Sequence, residues 1–298
     1  MKNTCILGGF IVEIRTDLAL ERQELAPESC GGITSETLSM GNTKITRIVV
    51  TNQAGARAVG KPIGNYITIE VPPFSDESVS DDERRSAITV ELSRILPKKG
   101  SVLVAGLGNS DITPDALGPK TVENILATRH IRGDLATSLG LGALRSVSVI
   151  SPGVLGKTGM ETGEIIKGIV KEIQPAAVIV IDALASRRLA RLGCTVQISD
   201  TGIIPGSGVG NARKEISQKT LGVPVVALGV PTVVDASTLA RDLLGNSLEN
   251  EVSEDSAGMM VTPKEIDTVI DHAAQLVALS INCALHPHLS AELLMALV

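Results

Sequence analysis

The residues Val102–Pro119 read V-L-V-A-G-L-G-N-S-D-I-T-P-D-A-L-G-P, and the fold is best approached from this stretch. The apolar run Val102–Ala105 is typical of a buried strand, and the sequence from Pro114 onward predicts a helix. In an open α/β fold, a strand-to-helix turn of this kind lies at the carboxyl edge of the sheet, where ligands bind. The turn carries two carboxylates, Asp111 and Asp115, which makes it a candidate site.

Predicted strands and helices alternate along most of the chain. The most apolar strand, A-A-V-I-V-I, is followed directly by Asp182. This alternation predicts an α/β fold of three layers with a mostly parallel, twisted sheet, and no linker divides it into two domains. Strands are predicted at 44–51, 65–71, 102–105, 147–150, 176–181, 195–198 and 223–228, and helices at 82–96, 114–130, 161–173 and 262–284.

The composition excludes several classes of protein. Among 298 residues, 43% are hydrophobic but only 1% are aromatic, so the core must consist of aliphatic side chains. The net charge of −6 and the absence of a basic cluster argue against direct nucleic-acid binding, and the scarcity of aromatics removes base-stacking platforms. No uninterrupted apolar run approaches the roughly 18 residues of a membrane span. We therefore expect a cytoplasmic protein whose four scattered cysteines are reduced.

Common catalytic signatures do not occur in the sequence. It has no G-x-S-x-G elbow, no H-E-x-x-H pair and no phosphate-binding G-x-x-x-x-G-K-[ST] loop. G-L-G-N-S-D lacks the third glycine of a dinucleotide fingerprint. The tripeptide D-T-G at Asp200 matches pepsin-like proteases, but those are all-β proteins, so a turn is the simpler interpretation. The four histidines show no metal-ligand spacing beyond H-P-H near the C-terminus.

The remaining candidates are carboxylates at strand ends. Asp115 in the first turn of a helix could simply complement the helix dipole, and Asp182 could be a turn residue. Both nevertheless follow strands of one sheet at the same edge. Two neighbouring carboxylates do not ionise together easily, so one keeps a proton and the pair can act as acid and base on a water molecule. The residues alone leave Asp111 open as a third candidate.

Six segments of the chain together resemble the germination protease family of spore-forming bacteria. They occur in order from about Arg15 into the C-terminal helix, and they read R-T-D-L-A, G-L-G-N…T-P-D-A-L-G-P with T-R-H, I-D-A-L-A-S-R, S-D-T-G-I, P-G-S-G-V-G-N-x-R and G-V-P-T-V-V-D-A. Each segment alone is weak evidence, whereas the ordered set is specific. The resemblance covers nearly the whole chain.

This resemblance implies an endopeptidase that degrades small acid-soluble spore proteins when spores germinate. The family is made as a zymogen that trims its own N-terminus, works as a homotetramer, and has a fold similar to that of hydrogenase-maturation peptidases. Its catalytic aspartate pair corresponds to Asp115 and Asp182, so Asp111 drops out. The resemblance implies no cofactor and no metal.

The family cuts after an acidic residue that precedes an apolar residue, Ala and a nearby Glu. T-D-L-A-L-E from Thr16 to Glu21 has this pattern. We therefore expect self-cleavage between Asp17 and Leu18, with residues 1–17 as a propeptide and residues 18–298 as a single α/β peptidase domain.

Further residues are candidates for the substrate groove or for support of the site. Ile204 precedes Pro205, at a position where the family pattern has His. Arg187 could orient a carboxylate, although a surface ion pair is the simpler role. The Gly-rich loop could line the groove, donate backbone N–H groups to a carbonyl oxygen, or form only a tight turn. The candidates in and beside this loop are Asp200, Gly206, Gly208 and Gly210.

Two other functions stay open on the residues alone. One is a metal-dependent maturation-type peptidase of the related fold, which needs carboxylates and a histidine around a metal. The other is a protein that binds a small molecule through its Gly-rich loops and has no peptidase activity.

Overall fold

The protein folds around one sheet whose strands follow from the apolar runs of the sequence. The computed structural model describes residues 15–26, 31–76, 78, 80–131, 141, 144–244 and 258–298. In this part of the chain the sheet has nine strands in the order β1-β2-β3-β7-β8-β6-β4-β5, and β9 pairs with β8. The strands are β1 (Ile33–Met40), β2 (Thr43–Val50), β3 (Gly64–Glu70), β4 (Val102–Gly106), β5 (Val147–Ile150), β6 (Ala177–Ser186), β7 (Thr195–Ser199), β8 (Val225–Asp235) and β9 (Met260–Val261).

The sheet has a parallel core and an antiparallel extension. Strands β8, β6, β4 and β5 run parallel to one another. Strands β7, β3, β2 and β1 continue the sheet from β8 in antiparallel pairs. The predicted α/β class with a parallel core is confirmed, and the extension accounts for the strands predicted before residue 80.

Helices cover both faces of the parallel core. Alternate residues of β4 pack on opposite sides: Val102 and Val104 join one apolar cluster, Leu103 and Ala105 the other. A strand buried on both faces is a continuous apolar run, as the sequence shows. The helices are α1 (Ala19–Glu24), α2 (Gln53–Val59), α3 (Asp81–Ile95), α4 (Leu117–Glu123), α5 (Leu155–Thr158), α6 (Thr162–Ile173), α7 (Gln218–Leu221), α8 (Ala236–Leu244), α9 (Ile266–Leu285) and α10 (Ala291–Ala296).

Two of the predicted helices have different bounds in the structure. The helix predicted over 114–130 is a 3-10 turn, Thr113–Asp115, followed by the short α4, which ends where the side chain of Asn124 donates to the carbonyl of Lys120. The helix predicted over 262–284 begins four residues later, at Ile266, and the hydroxyl of Thr262 donates to the carbonyl of Thr232 instead of capping it.

Strand β6 is longer than predicted. The apolar run was expected to end at residue 181, with Asp182 beyond it. Instead the strand continues to Ser186, and Asp182 lies inside it, paired with Gly229 of β8. This pairing fixes the position of Asp182 more tightly than a turn would.

Among the described residues, α9 alone is long and apolar enough to cross a membrane by length and composition. Most of it is buried inside the protein, against α3, α4 and the sheet.

Candidate active site

The turn after β4 holds Asp115 through backbone contacts. Gly108 has a φ of +111°, and a Cβ there would lie 2.0 Å from the carbonyl oxygen of Asp115, so this position requires glycine. The backbone N–H of Asn109 donates to Oδ2 of Asp115 at 2.8 Å. From β8, the hydroxyl of Thr232 donates to the carbonyl of Pro114 at 2.7 Å. The turn is thus held by contacts of its own backbone and by one hydrogen bond from β8.

Asp182 lies beside the start of this turn. Strand β4 ends at Gly106, opposite Ile181, and the N–H of Leu107 donates to the carbonyl of Ile181 at 2.8 Å. The side chain of Asp182 is almost fully buried, with 5% of the residue exposed. The end of β4 and the middle of β6 therefore place Asp115 close enough to Asp182 for its charge to act on the buried carboxyl group.

The two carboxyl groups differ in electrostatic environment. Burial raises the pKa of Asp182 well above its ordinary value, and the nearby charges of Asp115 and Asp17 raise it further. Burial also raises the pKa of Asp115, but the hydrogen bond from Asn109 opposes this. Of the two carboxyl groups, Asp182 is therefore the one that holds a proton more readily.

Asp111 has a different environment. Its carboxylate is exposed and forms an ion pair with Lys157 at 2.6 Å. The hydrogen bond and charge of Lys157 lower the pKa of Asp111. A solvated, paired carboxylate of this kind is an ordinary surface feature.

The N-terminal segment docks beside Asp182. The N–H of Asp17 donates to the carbonyl of Ala185 at 2.8 Å, and Leu18 is fully buried. The side chain of Gln197 contacts the chain on both sides of the Asp17–Leu18 bond. Its Nε2 donates to the carbonyl of Asp17 at 3.1 Å, and its Oε1 accepts from the N–H of Ala19 at 2.6 Å.

Sheet register places Gln197 level with Asp182. Both residues pair with Gly229 of β8, from opposite sides. Directly paired residues project from the same face of a sheet, so the two side chains flank a glycine on one face. A cleft of ≈ 170 Å³ over this face is lined by Asp17, Gln197 and Gly229, among others. The bond after Asp17 therefore lies on the face that carries Asp182.

A buried charge network holds the chain just after this bond. Glu21 is fully buried and accepts hydrogen bonds from the N–H groups of Arg187 and Arg188, at 2.6 and 3.0 Å. Nη1 of Arg191 lies 3.2 Å from the same carboxylate, and the hydroxyl of Thr16 also donates to it. This network holds α1 in place. The sequence analysis did not predict α1.

The remaining predicted site residues have local roles. The guanidinium of Arg187 pairs with Glu24 at 3.2 Å. Asp200 accepts from the N–H of Asn65 at 2.8 Å and so fixes the start of β3. Of the loop glycines, Gly206 and Gly210 have φ values of 72° and 75° and shape the turn. Ile204 is exposed at 41%.

Gly208 and its neighbour Ser207 are the part of this loop that contacts Asp17. Oγ of Ser207 donates to Oδ1 of Asp17 at 2.7 Å. Neither Ser207 nor Gln197 was singled out from the sequence. The sequence does offer one indication of Gln197, because it is the single amide side chain in the buried strand T-V-Q-I-S.

The histidines have contacts of their own. Nδ1 of His272 lies 2.9 Å from the carbonyl of Phe74, and Nε2 of His288 lies 3.1 Å from that of Leu141. Burial lowers the pKa of His286 to about 4. Within the described ranges, no group of three or more His, Cys, Asp or Glu side chains is placed to hold a metal ion.

Comparison with known proteins supports the sequence resemblance. A family model described as germination protease matches residues 12–254. Among similar proteins are the germination proteases of Caldanaerobacter subterraneus subsp. tengcongensis, 44% identical, and Clostridium perfringens (strain ATCC 13124), 41% identical, each covering 94% of this chain and 97% of the relative. That of Bacillus velezensis is 37% identical, covering 94% and 95%.

A solved structure, the [NiFe] hydrogenase maturation protease HycI from Thermococcus kodakarensis, matches 64% of this chain and 98% of its own, with 17% identity and a TM-score of 0.37. The family match and the relatives' identity over nearly their full length set aside the alternative of a binding protein without activity. The chain therefore belongs to the germination protease family and is a peptidase.

Proposed function

We propose that this peptidase cleaves small acid-soluble spore proteins during germination, after trimming its own N-terminus, and that Asp115 and Asp182 activate the attacking water. One observation supports the proposal most: Asp182 of β6 lies close enough to Asp115 and Asp17 for their charges to raise its pKa, and the segment with the expected cleavage sequence is hydrogen-bonded to β6 at Ala185. Residues 1–17 would be the propeptide and 18–298 the peptidase domain. Residues 1–14 lie outside the described part of the chain.

The charge distribution supports separate roles for the two aspartates. Ionised Asp115 takes a proton from water, and the water oxygen attacks the carbonyl carbon of Asp17. Protonated Asp182 gives its proton to the amide nitrogen of Leu18, and the bond between Asp17 and Leu18 breaks to leave a carboxylic acid and an amine. The second proton of the water then passes from the acid to the amine. The amide of Gln197 donates to the carbonyl oxygen that becomes negative during attack. Each proton has a donor and an acceptor, and no covalent intermediate forms.

The partners and location come from the same family resemblance. The proposed substrate is a small protein of the spore core, so the enzyme would act in the cytoplasm of the forespore and spore. The proposed assembly is a homotetramer, and the net charge of −6 suits a protein substrate better than direct contact with nucleic acid or an anionic membrane.

Three measurements test this function. N-terminal sequencing of the matured protein should give Leu18 as the first residue, and any other start contradicts the assigned cut. Incubation with a small acid-soluble spore protein that carries a T-E-[FI]-A site should give one defined cut after the acidic residue.

A chelation experiment tests the metal-dependent alternative. We expect the protein to keep full activity after exhaustive chelation, and we expect elemental analysis to find no metal. Loss of activity on chelation and its return with a metal would favour the metal-dependent alternative.

A further inference from the structure

The side chain of Asp17 occupies a small polar site of its own. Its Oδ2 accepts from the N–H of Ala185 at 2.9 Å, and its Oδ1 accepts from the hydroxyl of Ser207 at 2.7 Å. The carbonyl of Ala185 meanwhile accepts from the N–H of Asp17. Both oxygens of one carboxylate are thus bound, although Asp17 belongs to a segment that is to be removed.

The shape of this site depends on Gly208. A Cβ at this position would lie 2.1 Å from Oδ2 of Asp17 and 2.8 Å from the Cβ of Ala185. The loop therefore needs a residue without a side chain where it passes the carboxylate. The left-handed turns at Gly206 and Gly210 set the loop at this distance and direct Ser207 toward the site.

A basic residue near this site also favours the binding of an acidic side chain. Lys61 is partly buried, which lowers its pKa, and the negative charge of Asp17 acts in the opposite direction. Lys61 and Ser207 line the same cleft as Asp17. A backbone N–H, a hydroxyl and an ammonium group are all donors, which is the combination that stabilises a carboxylate.

We propose that Ala185, Ser207, Gly208 and Lys61 form a subsite for the acidic side chain that precedes the cleaved bond. The inference rests on the proposed function and extends it to the residues that select the cleavage position. In the full chain Asp17 fills the subsite. Once residues 1–17 are released, the subsite is vacated and takes the aspartate or glutamate side chain of a substrate.

A double-mutant cycle on the full-length chain tests this subsite. Self-processing is followed for the parent, Ser207→Ala, Asp17→Ala and the double variant, with the cut located by mass spectrometry. Removing a hydrogen bond to a charged group should slow processing about tenfold in Ser207→Ala. In the Asp17→Ala background the same change should have no further effect, because the carboxylate it binds is gone.

Ser78→Ala is the matched control. Ser78 is also an exposed serine whose hydroxyl donates to an aspartate, Asp76, at 2.6 Å, and it belongs to a loop before α3. The Ser78→Ala variant should process itself at the same rate as the parent.

The outcomes separate this inference from the function on which it rests. If the parent is cut before Leu18 but Ser207→Ala has no effect, or the same effect in both backgrounds, the subsite is refuted and the self-processing peptidase stands. If the parent makes no cut before Leu18, the self-processing part of the proposed function is refuted, and the subsite with it.

Discussion

At the scale of single residues, the site is built at a cost in stability. Asp182 lies within a strand of valine, isoleucine and alanine, and the pKa of its carboxyl is raised by burial and by two other carboxylates. An ordinary core would place an aliphatic side chain here. An aspartate that is costly to ionise is instead suited to hold a proton and release it during catalysis.

Replacing Asp182 with asparagine should therefore stabilise the fold at alkaline pH. A carboxyl whose folded pKa is raised contributes stability below its unfolded pKa, about 3.9, and loses it as pH rises through the folded value. The free energy of unfolding of Asp182→Asn should exceed that of the parent at pH 8, and the gain should be smaller at pH 5. Urea unfolding of both proteins at pH 8 and at pH 5 measures this difference in free energy.

Asp111→Asn is the control for that comparison. The pKa of Asp111 is lowered by Lys157, so any contribution to stability is present at pH 8 and is lost as pH falls. This variant should show no gain at pH 8. Equal or lower stability of Asp182→Asn at pH 8 would contradict the view that Asp182 is held in an unfavourable environment.

At the scale of elements, the site depends on how closely α4 approaches the sheet. A Cβ on Gly118 would lie 2.2 Å from the carbonyl oxygen of Leu107 and 2.6 Å from that of Ile181. Both obstacles are backbone atoms, one directly after β4 and the other inside β6. The glycine therefore lets the helix that follows Asp115 sit directly on the strand that carries Asp182.

Gly118→Ala should destabilise the protein, although alanine is the better helix former. The added methyl group must push α4 off the sheet, which costs roughly 1–3 kcal/mol by overpacking. Gly168→Ala is the matched control, because Gly168 lies in α6 with no atom within 4 Å of a built Cβ. That change should stabilise by about 0.5–1 kcal/mol. The change in the free energy of unfolding is measured by thermal or urea denaturation. A change of the same sign in both variants would contradict this packing.

The charge network behind α1 gives a second prediction. Glu21 accepts two backbone N–H groups and the guanidinium of Arg191 while fully buried. Glu21→Ala leaves these donors without an acceptor, so stability should fall by roughly 3–5 kcal/mol and self-processing should slow. Lys214→Ala, which breaks the exposed Lys214–Glu164 pair, should change neither quantity. Equal effects of the two changes would show that α1 is not anchored by Glu21.

Much of the parallel core could be predicted because buried strands are continuous apolar runs. Strands β4 and β5 of the core lie within a residue of their predicted bounds, and so does β7, the equally buried first strand of the extension. Strand β1 was missed because its residues are mostly exposed and polar, and it is defined only by pairing with β2. Helix α1 was missed because its order comes from Glu21 and distant arginines, which short-range periodicity does not report.

The candidate site was predictable in part for the same reason. Asp115 and Asp182 follow apolar runs of two adjacent parallel strands, so topology places them near each other, although β6 continues past Asp182. Gln197 and Ser207 reach Asp17 only through sheet register and the path of the Gly-rich loop. Contacts of this kind, between residues about 180 positions apart, leave little trace in the sequence.

At the scale of the whole molecule, the parallel core and its antiparallel extension meet at the proposed site. Strand β6 supplies Asp182 and the backbone of Ala185, whereas β7, the first strand of the extension, supplies Gln197. The N-terminal segment lies across both parts. The fold thus holds the proposed cleavage sequence on the strand that carries Asp182.

The most direct test of this account compares Asp115→Asn, Asp182→Asn and Asp111→Asn in the full-length chain. Self-processing before Leu18 and cleavage of an added spore protein are measured together. Loss of a general acid or base typically costs about 10²–10⁴-fold in rate. We predict that Asp115→Asn and Asp182→Asn each lose both activities by at least about 10²-fold, and that Asp111→Asn keeps them. Full activity in either of the first two variants would contradict the proposed aspartate pair.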